Sequence, residues 1–284
     1  MMSEENLISG HSEGYREGAL LKKILKAIER LSERTGPVRL MEVCGTHTME
    51  FMRSGVKAAL PPPVMLVSGP GCPVCVTPPQ TIGKAVAYAL EKDTAVMTFG
   101  DMIRVPAGDK SLEKARAEGA DVRIVYSPAD ALRAARDEPG KRFVFLGIGF
   151  ETTSPTVDAT IRSAAASGTE SFAVLCAHRL IPPAMDAIAA RVSYNARVSG
   201  FICPGHVSVI TGAEVYLPIA EKHRLPCVVT GFEPVDLLQG VSMLLDMIDR
   251  GEGGVRIQYS RYVSPEGNRK AVRIAREVFD TVDA

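Results

Sequence analysis

A chain of 284 residues that is 46% hydrophobic and 23% charged can bury one large core or two modest ones, which excludes a disordered or fibrous protein. Lys+Arg and Asp+Glu each number 33, and this formal balance of zero gives no electrostatic drive toward nucleic-acid phosphates or anionic lipid. Tryptophan is absent and aromatics total 6%, so a platform for stacking bases or sugars has little to work with. The start, MMSEENLISG, is polar and acidic, and no stretch reaches the roughly 18 uninterrupted apolar residues of a membrane span. A cytoplasmic protein with neither nucleic-acid nor membrane partners is expected, and its six cysteines are then metal ligands or reactive thiols in preference to a disulfide framework.

In chain order, Leu20, Leu21, Ile24, Leu25, Ile28 and Leu31 recur at helical spacing between Glu17 and Arg34, and Gly36-Pro37 stops the run. Residues 1–36 therefore form an N-terminal helical segment that covers a core. Short β-rich runs at 38–43, 64–68, 95–99 and 122–126 follow, each succeeded by a loop and an amphipathic stretch, the pattern of βα units and a parallel sheet. Thr77-Pro78, Ser127-Pro128 and Ser154-Pro155 each offer a capping hydroxyl ahead of a first-turn proline. A second series at 143–148, 172–177, 199–204 and 226–230 trails the first by 104 to 108 positions. The offset predicts two similar parallel-sheet α/β domains, 37–138 and 139–284, with Asp137-Glu138-Pro139-Gly140 as the seam. A run at 255–260 and a helix over 268–282, docking through Val272, Ile274, Val278 and Phe279, close the chain.

Chemistry-bearing residues collect at the C-terminal ends of the predicted strands, where parallel sheets place their ligands. The first strand leads into Cys44-Gly45-Thr46-His47-Thr48. A thiol and an imidazole three positions apart on a glycine-opened turn can be two ligands of iron or zinc, or a thiolate with its base. The plainer alternative is a buried cysteine beside a helix-capping histidine. The second strand leads into Gly69-Pro70-Gly71-Cys72-Pro73-Val74-Cys75, where two sulfurs near a helix start can chelate one metal or close into a disulfide. No second close cysteine pair accompanies them, so neither a closed zinc site nor a four-cysteine cluster is expected.

In the second series, Gly147-Ile148-Gly149-Phe150-Glu151-Thr152-Thr153 lacks the third glycine of a dinucleotide fingerprint. Glu151, Thr152 and Thr153 are candidates for a proton relay or for hydrogen bonds to a small polar ligand, against a helix start with Glu151 facing water. Cys176-Ala177-His178 and Cys203-Pro204-Gly205-His206 put further Cys/His pairs at strand ends. Cys176 and Cys227 read as packing, His206 as a cleft-lining or capping residue, and Asp101 and Glu233 as capping carboxylates.

The combination of CGTHT at 44–48, GPGCPVC at 69–75, GFETT at 149–153, FICPGHVSVITG from Phe201 to Gly212 and QYSRYVSPEGN at 258–268 closely resembles the HypD family of hydrogenase maturation factors, from about Leu20 to the last residue. The resemblance implies two α/β domains whose motif loops face a central cleft. It also implies a scaffold on which, with the small chaperone HypC, the Fe(CN)2(CO) unit of [NiFe]-hydrogenase is assembled, cyanide arriving from HypE with HypF upstream. Cys44 then carries over as a thiolate ligand to iron, with His47 beside it and Thr46 and His206 facing the cofactor. Cys72 and Cys75 become redox-active or auxiliary metal-site thiols. Typical members continue into a cysteine-rich module that holds a [4Fe–4S] cluster, whereas the present sequence stops at Ala284, which leaves the electron source for Cys72 and Cys75 open.

A thiol–disulfide oxidoreductase using Cys72 and Cys75 is the second expectation, and a plain protein-binding module the third. For the chaperone, an apolar patch at Met49, Phe51 and Met52, just after CGTHT, is the expected docking surface.

Overall fold

The computed structural model describes residues 18–190 and 197–282; the polar start of the chain lies outside them. The described strands are β1 (Val38–Glu42), β2 (Val64–Ser68), β3 (Thr94–Thr98), β4 (Asp121–Ile124), β5 (Arg142–Gly147), β6 (Phe172–Cys176), β7 (Gly200–Pro204), β8 (Pro226–Thr230) and β9 (Gly254–Ile257). Each coincides with a β-rich run of the sequence, and helices fill the intervals, so the α/β class and parallel pairing are as expected.

Strand partnership departs from the sequential halves. One sheet has the order β2-β1-β7-β8-β9 and the other β4-β3-β5-β6. The chain accordingly forms two units: the first holds the residues up to Gly71 together with Ile181–Asn268, the second Cys72–Leu180 together with the segment from Arg269. The seam expected at Asp137-Gly140 falls inside the second unit, where Arg123 of β4 bonds Glu138 at 2.5 Å and Asp121 at 2.7 Å. Spacing along the chain predicts strands; it does not choose their neighbours. β1 buries Val38, Leu40 and Glu42, and it pairs with β2 on one side and β7 on the other through Leu40↔Gly200 and Met41↔Phe201.

In the first unit, the helix Pro234–Asp249 lays Leu237, Leu238, Val241, Leu244 and Leu245 on the sheet, and Ile28 of the helix Gly18–Thr35 joins the same core, the covering role expected of that helix. Gly240 permits the close approach, because a Cβ there would meet Thr230 Cγ2 at 2.1 Å. β7 and β8 are buried throughout, so Cys203 and Cys227 are packing residues. The second unit covers its sheet with one cluster around Ile82, Met102 and Leu146 and another around Phe143, Phe145 and Val157.

Of the three expected caps only Ser127 acts as one, accepting from Ala129 N–H at 3.2 Å while Asp130 accepts from the Ser127 N–H. Thr77 instead donates to the Pro73 carbonyl at 2.8 Å, and Ser154 lies within its helix, whose preceding residue is Thr153. The last helix, Arg269–Val278, docks half-buried and adds the Arg162–Glu277 pair.

Candidate functional site

The first unit gathers the CGTHT segment (44–48), the GPG segment (69–71), the CPGH segment (203–206) and Gly231-Phe232-Glu233 at the C-terminal end of one sheet, since β1, β2, β7 and β8 run parallel. Cys44 caps the helix Gly45–Arg53 in extended backbone without a side-chain cap bond, and the residue is half-buried. The turn is tight: Gly45 N–H donates to Gly71 O at 3.1 Å, and a Cβ on Gly71 would lie 2.7 Å from Cys44 Cα. Only glycine fits at position 71.

His47 does not share the half-exposed position of Cys44. It is fully buried, and its Nε2 lies 3.0 Å from Gly231 O and 3.1 Å from Thr230 Oγ1. A carbonyl only accepts, so Nε2 carries the proton and Nδ1, enclosed and without a hydrogen-bond partner among the described residues, keeps its lone pair. Burial pushes the imidazole pKa down to about 4. Phe232 packs against His47 at 4.7 Å between ring centres and stacks on the more exposed His206 at 3.9 Å, which gives His206 an aromatic seat at the sheet end. Thr46 is exposed.

The expected docking patch divides by helical phase. Phe51 lies one turn beyond His47 and is buried, 1% exposed, while Met49 and Met52 on the opposite face are 68% and 62% exposed. Phe51 is a core residue, because a helix resting on a sheet turns every third or fourth position inward.

In the second unit Cys72 and Cys75 face each other with Sγ–Sγ 2.8 Å, and Cys75 N–H donates to Cys72 Sγ at 3.3 Å. The Cys72 hydrogen bond pushes the Cys75 thiol pKa up, so Cys75 holds its proton and Cys72 is the accepting sulfur. Cys75 is exposed and Cys72 half-buried. Glu151 is buried instead of facing water, Thr152 is exposed, and Thr153 packs so tightly that a Cβ on Gly149 would meet it at 2.4 Å. Cys176, expected in the core, is exposed with its Sγ 3.4 Å from His178 Nδ1, because β6 is an edge strand that turns this residue outward.

Among the described residues no three His, Cys, Asp or Glu side chains converge on a point that would hold a metal ion. Glu42 and Asp158 are among the buried acids that escaped the sequence reading. Glu42, 1% exposed, accepts from Ser68 Oγ at 2.9 Å, and Asp158 is fully buried with neither carboxylate oxygen hydrogen-bonded among the described residues. The alternation Val38, Leu40, Glu42 was the available signal for the first, because it places an acid on the inward face of a strand.

A family model described as HypD, Hydrogenase formation hypA family, matches residues 19–284. Hydrogenase expression/formation protein HupD of Azotobacter chroococcum mcd 1 is 43% identical over 270 residues, 94% of this chain and 71% of that protein. Hydrogenase maturation factor HypD of Rhodobacter capsulatus is 42% identical over 271 residues, 94% and 71% of the two chains. Its namesake in Escherichia coli (strain K12) is 41% identical over 266 residues, 91% and 71%.

Proposed function

Because the chain belongs to the HypD family of hydrogenase maturation factors, we propose that it is the scaffold on which the Fe(CN)2(CO) unit is assembled in the cytoplasm, with a HypC-type chaperone sharing the iron. The observation that carries this reading is Cys44: a half-buried cysteine at a helix start and a sheet end, without a side-chain cap bond and with its backbone packed against Gly71. Thiolate suits Fe(II), and the first-turn N–H groups of the helix Gly45–Arg53 favour an anionic ligand at that end.

Iron is the cargo, and the chaperone's cysteine supplies a second thiolate. His47, buried with an unpartnered Nδ1 lone pair among the described residues, is the candidate second ligand or proton acceptor of this turn. His206 and Thr46 face the cyanide and carbonyl groups, and Glu151, Thr152 and Thr153 serve as the proton relay. Cyanide is delivered by a HypE-type donor with HypF upstream. Cys72 and Cys75 supply or store two electrons, the source that reloads them lying in other molecules or in a [4Fe–4S] module of the family type.

A thiol–disulfide oxidoreductase is the second reading, favoured by the facing Cys72 and Cys75 sulfurs and the proton held on Cys75. Anaerobic co-purification with the chaperone, iron quantification and infrared detection of cyanide and carbonyl stretches separate the two. The scaffold binds iron and shows those bands. Iron-free protein that turns over disulfide substrates establishes the oxidoreductase.

A further inference from the structure

Glu42 is the last residue of β1, two positions before Cys44, and it is buried on the inward face with Val38 and Leu40. One carboxyl oxygen accepts from Ser68 Oγ at 2.9 Å; the other is enclosed without a hydrogen-bond partner among the described residues. Its register partner in the sheet is Ser68, the last residue of β2 and the one that opens into Gly69-Pro70-Gly71-Cys72. The Glu42 carbonyl also accepts from Gly69 N–H at 2.8 Å, and the next contact outward is Gly45 N–H to Gly71 O at 3.1 Å. A single residue thus ties the root of the CGTHT loop to the root of the GPGCPVC loop by side chain and backbone together.

A carboxyl group enclosed with one hydrogen bond is a poor choice for stability, because burying an under-satisfied polar group opposes folding and an apolar residue of similar volume usually does as well or better. A site that keeps such a group keeps it for geometry or chemistry.

We propose that Glu42 is a positioning residue of the thiolate site, fixing the CGTHT loop against the Gly69–Gly71 turn through Ser68 so that the Cys44 thiol is held in one orientation beside Gly71. The inference rests on the reading of Cys44 as the iron-binding thiol, yet the position of that thiol is measurable without iron. Glu42→Gln keeps an oxygen for Ser68, whereas Glu42→Met and Ser68→Ala cut the tie. Gly71→Ala leaves the carboxyl alone but forces the turn off Cys44.

Peptide-resolved alkylation of the metal-free full chain with iodoacetamide is the test, with thermal unfolding alongside. Glu42→Met, Ser68→Ala and Gly71→Ala are expected to change the alkylation rate of Cys44 by about threefold or more, with Glu42→Gln within about twofold of wild type. Glu42→Met should unfold at the same temperature or higher. An unchanged Cys44 rate in both Glu42→Met and Ser68→Ala overturns the inference, as does a Glu42→Gln variant that behaves like Glu42→Met. A marked fall in the unfolding temperature of Glu42→Met makes the residue structural instead. Wild-type protein that takes up no iron with its chaperone defeats the functional reading alone and leaves the alkylation result standing.

Discussion

His47 Nε2 donates to the Gly231 carbonyl at 3.0 Å, joining the turn after β1 to the end of β8 across 184 residues. The imidazole is enclosed by protein, and burial, outweighing this hydrogen bond, lowers its pKa from 6.5 to about 4. Between those values the unfolded chain binds a proton that the folded chain refuses, so stability rises with pH there. The contribution is complete above about pH 6.5 and lost as pH falls toward 4, up to about 3 kcal/mol in all. Urea unfolding at pH 7.5, 6 and 5 should show this fall, and His47→Gln, which does not titrate, should flatten it. His178, pushed by burial down to about 4, supplies the part that remains. A profile equally steep in His47→Gln would place the titrating group elsewhere.

Asp158 acts in the opposite sense. Burial raises its pKa from 3.8 to about 6, so the folded chain binds the extra proton and this contribution weakens as pH rises through 6. At neutral pH the helix Ser154–Ala166 therefore carries an unsatisfied carboxylate. Asp158→Ala removes it and adds helix propensity, and should raise stability at pH 7 by about 1 kcal/mol while steepening the slope between pH 4 and 6. A destabilised Asp158→Ala would show that the carboxylate has a partner worth more than its burial.

Element type was legible wherever local pattern determines it. The nine β-rich runs became the nine described strands, and the spacing of Leu21, Ile24, Leu25 and Ile28 named the covering helix. Pairing was not legible, because β1 joins β7 through residues 160 positions away, such as Leu40 and Gly200, and nothing local distinguishes that partner from β3. The candidate site divided the same way. CGTHT and GPGCPVC announced themselves by composition, while the inward turn of His47 depends on Thr230 and Gly231, and the half-buried state of Cys44 on Gly71. Cys176 was misjudged since an apolar run reads alike in a central and an edge strand; only sheet order exposes it.

Cys72→Ser and Cys75→Ser should leave the fold intact, because both residues lie outside the strands and neither is buried. Unfolding free energy should change by less than about 1 kcal/mol in either variant. Mild oxidation of wild type should close the pair, read as a loss of two alkylatable thiols on one peptide, and each variant should abolish that loss. A fall of more than about 3 kcal/mol would instead mark the pair as a structural clip.

Association with the chaperone and retention of its iron should separate genetically. Net charge is zero, so long-range steering is weak and docking must rest on apolar contact; Met49 and Met52, exposed on the outer face of the helix that Cys44 caps, offer it. Methionine side chains adapt to a second surface without a fixed shape of their own. On the scaffold reading, Cys44→Ala removes one iron ligand and leaves that face untouched, so the complex should form with its iron largely lost. Met49→Glu with Met52→Glu should weaken association about tenfold or more, by placing charge in the contact, while Cys44 remains competent at high chaperone concentration. Phe51→Ala would confuse the test, since the buried ring supports the helix itself and its loss costs about 3 kcal/mol or more. Pull-down with metal quantification reads both quantities at once. Full iron occupancy in the Cys44→Ala complex removes Cys44 from the ligand set, and loss of association in the same variant makes the cysteine turn, not the methionine face, the docking hot spot.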